Sequence, residues 1–270
     1  MKRQHAGLAA EVVLAATLLS TLVACRSQGD GARSRGRVRI AAASDLSAAL
    51  GALTVDFTAA HPNIDVTISY GSSGTFYAQL TNRAPFDIFL SADHAYPTQL
   101  IAQGLTVPGS EFAYARGRIV VWTSAESPLD VARDGLQALL SERVAHVAIA
   151  NPDHAPYGRA AIAALTKDGI YDRVRPKLVF GESVSQAMQF VATGAADAGI
   201  VALSLALAPA TRDKGRWFEI PESDYPAIEQ SGVILKWAED VDAAQAVRAY
   251  IMSAAGQAVL KRYGFLPAGS

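Results

Sequence analysis

Cysteine is almost absent: the only one in 270 residues is Cys25. No disulfide can form within the chain, so a packed core must hold the fold. Charge is also scarce, at 18% of residues with a formal net charge of -1. A nucleic-acid binder shows a basic surplus or stripe, so that class is disfavoured. Any anion site has to be local, because the whole molecule does not attract anions strongly. The five histidines are His5, His61, His94, His146 and His154, and no two stand at metal-ligand spacing. The Gly-x-Ser-x-Gly elbow of many hydrolases is missing. The turn at Gly71 does not match it, and Gly181-Glu182-Ser183-Val184-Ser185 lacks the closing glycine. What is abundant is apolar residue, half of the chain, enough for a large buried core.

The N-terminus carries a distinct signal. Lys2 and Arg3 give a positive start, and an apolar run extends from Val12 to Ala24, interrupted by Thr17, Ser20 and Thr21. That run is short for a membrane span and has the length of a signal-peptide core. It ends in Leu22-Val23-Ala24-Cys25, which resembles the lipobox of bacterial lipoproteins. Cys25 is then expected to be the lipidated first residue of the mature chain, anchored to a membrane. An ordinary secretory signal with an incidental cysteine is the plainer alternative. Residues 26–36 are polar and glycine-rich and suit a flexible tether.

From Val38 onward a single grammar repeats. A short apolar run, a polar turn and a helical pattern follow one another. Val38 to Ala43 suits a buried strand, and Ser44-Asp45 interrupts it. Leu46, Ala49, Leu50, Leu53 and Phe57 then recur at helical spacing until His61-Pro62. This pattern places Ser44 at the helix N-cap. Ile64, Val66, Ile68 and Tyr70 alternate as in a strand, and Gly71-Ser72-Ser73-Gly74 leads into a helix. Phe86 to Leu90 and Ser91-Ala92-Asp93 repeat the theme. A second block, from Arg118, has strands at Ile119 to Trp122, Val144 to Ala150, Leu178 to Phe180 and Ala198 to Leu203. The chain closes with a strand at Gly232 to Lys236 and helical residues from Asp240 to Leu260. Alternating strands and helices predict mostly parallel sheets flanked by helices. Ligands of such sheets bind beyond the C-terminal ends of the strands.

Four polar turns fall at that position: Ser44, Gly71 to Gly74, His154 to Gly158, and Gly181 to Ser183. A helix N-terminus offers unpaired N–H groups and a partial positive charge. Small hydroxyl residues add donors without blocking approach, so an anion can be held without lysine or arginine. Any one such serine is usually only a cap, and the weight lies in four corresponding turns. For His154 a loop-bracing role is expected, and for Asp45, Asp87, Asp93 and Asp153 capping or local pairing. A site made of donors alone suits an anion that carries no proton at neutral pH. Monohydrogen phosphate would bring a proton with no acceptor to meet it.

The set Ala41-Ala42-Ala43-Ser44, Ser72-Ser73-Gly74-Thr75, Phe86 to Asp93, Asn151 to Gly158, Gly199-Ile200-Val201 and Lys261-Arg262-Tyr263-Gly264-Phe265 resembles the periplasmic molybdate-binding proteins of ABC importers. The resemblance covers nearly all of Arg37 to Pro267. It implies the type II periplasmic binding protein fold, with two α/β lobes and the ligand cleft between them. Lobe I would comprise 37–117 plus 226–270, and lobe II 118–225. It further implies that Ser44 and Ser73 donate hydroxyls, and Tyr157 and Val184 backbone N–H groups, to molybdate or tungstate. The metal would arrive inside its oxyanion, with no separate cofactor. The partner would be a membrane permease, and the chain is expected to act as a monomer without catalysis. One position departs from the pattern. Some members carry a ligand-reaching tyrosine where this chain has Ala202, so Tyr157 or Ser204 would have to compensate, or the site has fewer donors.

Two other functions compete. One is a receptor of the same fold for sulfate or another small anion. The other is a secreted serine hydrolase using Ser73 and His154.

Overall fold

The computed structural model describes Gly36 to Gly269. The signal-peptide and lipobox reading, with Cys25 and nearly all of the tether, lies outside the described residues. Gly36, assigned above to the tether, is the first residue of a strand.

The chain begins with β1 (Gly36–Ala43), α1 (Ser47–Ala60), β2 (Ile64–Gly71), α2 (Ser73–Thr81), β3 (Ile88–Ser91), α3 (Ala95–Ala102) and β4 (Phe112–Gly117). Next come β5 (Ile119–Ser124), α4 (Val131–Asp134), β6 (Val147–Ala150), α5 (Pro156–Lys167), α6 (Tyr171–Val174), β7 (Leu178–Gly181), α7 (Val184–Ala192), β8 (Ala198–Ala202), α8 (Leu203–Ala206) and β9 (Gly215–Glu219). It ends with β10 (Ile228–Ile234), α9 (Val241–Met252) and α10 (Ala254–Arg262).

Two five-stranded sheets result, in the orders β2-β1-β3-β10-β4 and β7-β6-β8-β5-β9. In the first, β1 pairs in parallel with β2 and β3, while β10 runs antiparallel between β3 and β4. In the second, β6 pairs in parallel with β7 and β8, and β5 runs antiparallel between β8 and β9. Four strands of each sheet therefore point one way and one is reversed. The reversed strands, β5 and β10, are those that follow each passage of the chain from one sheet to the other. The sequence pattern did not reveal β4 or β9, and β10 starts four residues before the expected Gly232.

Burial explains the patterns. The inner strand β1 is buried from Ile40 to Ala43, which is why it reads as a continuous apolar run. The edge strand β2 alternates, with Ile64, Val66 and Ile68 inward. Helix α1 buries Ala49, Leu50, Leu53 and Phe57 and ends where Pro62 forbids another turn. Each lobe has its own core, one around Val38, Ile40, Leu50 and Phe57, the other around Ile119, Trp122, Ile149 and Ile200. Asp87, fully buried, accepts from Arg39 side-chain and backbone nitrogens. Burial works to raise its pKa, but the bonds from Arg39 and Glu239 outweigh it and the net shift is downward.

The C-terminal tail braces the passage between the sheets. Arg116 and Leu266 exchange backbone hydrogen bonds at 2.9 and 3.0 Å. Arg118 Nε donates to the Gly264 carbonyl at 2.8 Å, and Arg118 also pairs with Glu219.

Candidate functional site

Each expected donor sits where a strand hands over to a helix. Ser44 opens a 3-10 turn, Ser44–Leu46, between β1 and α1. Here the sequence reading needs correction: Ser44 is not a capping residue. The helical segment has no side-chain cap, and the Ser44 hydroxyl oxygen instead accepts the Ser185 N–H from α7 at 3.3 Å. In the next turn the cap is Ser72, whose Oγ accepts from the Thr75 N–H. Ser73 is thereby freed for another task, and its Oγ accepts from the Ala92 N–H at 2.9 Å. Both Ser44 and Ser73 are buried. Each hydroxyl oxygen is fixed by an incoming N–H, and among the described residues neither hydroxyl donates. The O–H protons remain available to an anion.

From the second sheet, Pro156 begins α5, where its missing N–H costs nothing and its fixed φ suits the first turn. Tyr157 is the next residue, so its N–H lies in the first turn, where helices leave donors unpaired. Val184 is the first residue of α7, after a Ser183 cap whose Oγ accepts from Gln186 N–H. Both Tyr157 and Val184 are buried.

The structure brings these turns together through bonds from lobe to lobe. Ser44 meets Ser185, the neighbour of Val184. Gly74, the neighbour of Ser73, donates its N–H to the His154 carbonyl at 2.9 Å. Asp45, the neighbour of Ser44, accepts the Tyr157 hydroxyl at 2.9 Å. Arg159, one helical step beyond, pairs with Asp93 and reaches the Tyr96 hydroxyl. The positive ends of α2, α5 and α7 face this region, and Arg159, its cation, is committed to Asp93. A small anion would meet dipoles and hydroxyls rather than a bare charge.

Asp45 was expected to cap or to pair locally; the backbone of Asp45 and Leu46 does hydrogen-bond its carboxylate, but its side-chain partners come from far along the chain. Its carboxylate is completely buried and accepts from both Tyr157 Oη and Gln230 Nε2, the latter at 2.7 Å. Burial pushes its pKa up to about 6, and the bonds from Gln230 and Tyr157 only partly offset this. The Ser204 hydroxyl donates to the Asp45 carbonyl at 2.7 Å. The two hydroxyls considered as substitutes at the Ala202 position are therefore both engaged with Asp45. Asp93 does act locally as well, accepting the Ala95 N–H. His154 braces its loop: Nε2 lies 3.2 Å from the Glu182 carbonyl and 3.3 Å from the Glu182 carboxylate. No hydrogen bond joins it to Ser72 or Ser73, so the serine-histidine arrangement of a hydrolase is not assembled. Among the described residues no group of three or more His, Cys, Asp or Glu could hold a metal ion.

Two α/β lobes with opposed helix N-termini closing on buried donors define a solute receptor. The chain belongs to the bacterial extracellular solute-binding protein family, whose model matches residues 38–266. It is 41% identical to the molybdate-binding protein ModA of Rhodobacter capsulatus over 202 residues, 74% of this chain and 77% of the relative. With ModA of Azotobacter vinelandii the identity is 37% over 252 residues, 93% of this chain and 96% of the relative. The solved structure of the Azotobacter vinelandii periplasmic molybdate-binding protein superposes with a TM-score of 0.78 at 35% identity. That superposition covers 85% of this chain and 98% of the other.

Proposed function

We propose that this protein captures molybdate or tungstate outside the cytoplasm and delivers it to an ABC permease. The observation that carries this reading is the likeness, along most of the chain, to two molybdate-binding proteins at 37% and 41% identity. The turn chemistry supports it, since a donor-only site favours an anion that needs no acceptor. In this reading the oxyanion sits between the lobes. Ser44 and Ser73 give it hydroxyl protons, and Tyr157 and Val184 give it backbone N–H groups. Cys25 carries the lipid that keeps the receptor beside its permease. The protein works as a monomer and without a resident cofactor.

Calorimetric titration with molybdate, tungstate, sulfate and phosphate tests the proposal. Binding of the first two at far lower concentration than the last two is expected. Equal affinity for sulfate would replace the reading with that of a general sulfate-class receptor.

A further inference from the structure

The three residues of the second lobe that reach across the cleft beside α5 alternate in function. His154 gives a carbonyl to Gly74, Tyr157 a hydroxyl to Asp45, and Arg159 a guanidinium to Asp93. Of these, the Tyr157–Asp45 bond is the buried one. Both residues are fully enclosed, and Gln230 Nε2 touches both partners, at 2.7 Å from Asp45 Oδ2 and 3.1 Å from the Tyr157 hydroxyl. The backbone makes room for this cluster. A Cβ at Gly117 would lie 2.2 Å from the Tyr157 hydroxyl and 2.8 Å from Gln230 Nε2. Gln230 itself is paired with Ala115 at a register shift in the β10–β4 ladder, and its side chain is buried.

We infer that the Tyr157 side chain is a positioning latch, its hydroxyl joining Asp45 only when the lobes close, so that the donors on either side of the cleft are assembled together. The inference rests on the oxyanion-receptor reading above. Asp45 follows Ser44 directly, and the Tyr157 ring belongs to the residue to which the receptor reading assigns a backbone donor. One hydrogen bond therefore ties a hydroxyl donor of lobe I to a backbone donor of lobe II. Opening the cleft by a few ångströms would break that bond and leave a buried carboxylate short of a partner. A hydrogen bond to a buried charge is strong because its loss leaves the charge poorly solvated. Such a latch acts on escape of the ligand more than on its entry, because entry occurs in the open form. The hydroxyl's proton is already given to Asp45, so it should not discriminate among anions.

Stopped-flow association and release of molybdate and tungstate, measured on the whole extracytoplasmic chain, tests the latch. Tyr157→Phe and Asp45→Ala are each expected to release anion roughly tenfold to a hundredfold faster, with association changed by less than about threefold. The double variant should be little worse than either single one, because both remove the same bond. Asp45→Asn keeps an acceptor oxygen for the Tyr157 hydroxyl and should recover most of the loss seen in Asp45→Ala. The ratio of molybdate to sulfate affinity should stay at its wild-type value in Tyr157→Phe. Unchanged release from Tyr157→Phe and Asp45→Ala, additive losses in the double variant, or an altered anion ratio would each overturn the latch. If the unaltered protein binds neither molybdate nor tungstate, the receptor reading itself falls, and the latch with it.

Discussion

Gly74 donates its backbone N–H to the His154 carbonyl at 2.9 Å, and a Cβ on Gly74 would stand only 2.6 Å from that same oxygen. A side chain there would also press on the Tyr96 hydroxyl, 2.8 Å away. Backbone oxygen cannot yield as a flexible side chain can, so the two lobes can approach this closely only over glycine. Gly74→Ala is therefore expected to hold the cleft ajar. Molybdate affinity should fall about tenfold or more, while the unfolding midpoint of the ligand-free protein moves little. Small-angle scattering would check the cause: the variant should contract less than the parent when molybdate is added.

Ser44, Ser72 and Ser73 should separate by role. Ser44→Ala and Ser73→Ala are each expected to weaken molybdate binding by about 10- to 150-fold, the worth of one hydrogen bond to a charged group. Neither should act as a cap deletion. Ser72→Ala should do the reverse, lowering stability by about 1 kcal/mol through loss of the α2 cap. Calorimetry and urea unfolding of the three proteins would settle the assignment, and a binding loss confined to Ser72→Ala would contradict it.

Two buried aspartates should give opposite pH dependences of stability. Asp45 is held at about 6, above its value of 3.8 in an unstructured chain, chiefly by burial. Its contribution is present in full below the unfolded value and is lost as pH rises through about 6. The difference corresponds to roughly 3 kcal/mol as an upper figure. Asp45→Asn should thus raise the melting temperature at pH 7.5 but have little effect near pH 4. Asp87 is shifted the other way by Arg39 and by two backbone bonds. Its contribution is present above the unfolded value and disappears as pH falls through the lowered one. Asp87→Asn should destabilise at pH 7.5, by about 1–3 kcal/mol, and much less in acid. Thermal melts from pH 4 to 7.5 would expose both trends.

Cys25→Ser should move the protein from the membrane fraction to the soluble extracytoplasmic fraction. Retention in the membrane by the variant would show that something other than a lipid on Cys25 holds it.

Much of the architecture was legible in the residues. Short, mostly apolar segments, each with one polar interruption (Arg39, Asp87, His146), marked β1, β3 and β6 because strands inside a helix-covered sheet are buried on both faces. Alternation marked β2, which lies at an edge. The segments Phe112 to Gly117 and Gly215 to Glu219 escaped notice for the same physical reason. Both become strands by pairing with the distant β10 and β5, and their own composition is mixed. The turns at Ser73, Tyr157 and Val184 could be located because glycine, serine and proline at a strand-to-helix junction carry local meaning. Ser44 looked like a cap for the same local reason, yet its oxygen serves Ser185, 141 residues away.

The sequence by itself determined the repeated strand-turn-helix units, their buried faces and the positions of the polar turns, since these follow from periodicities of two and 3.6 residues and from local backbone preferences. Tertiary structure alone decided what the turns face. That Asp45 would be buried, that Tyr157 and Gln230 would converge on it, and that Gly74 and Gly117 would be points of close approach depends on two sheets meeting across a cleft. Residues 45, 157 and 230 have no relation along the chain, and no local pattern records a contact made only when distant elements pack together.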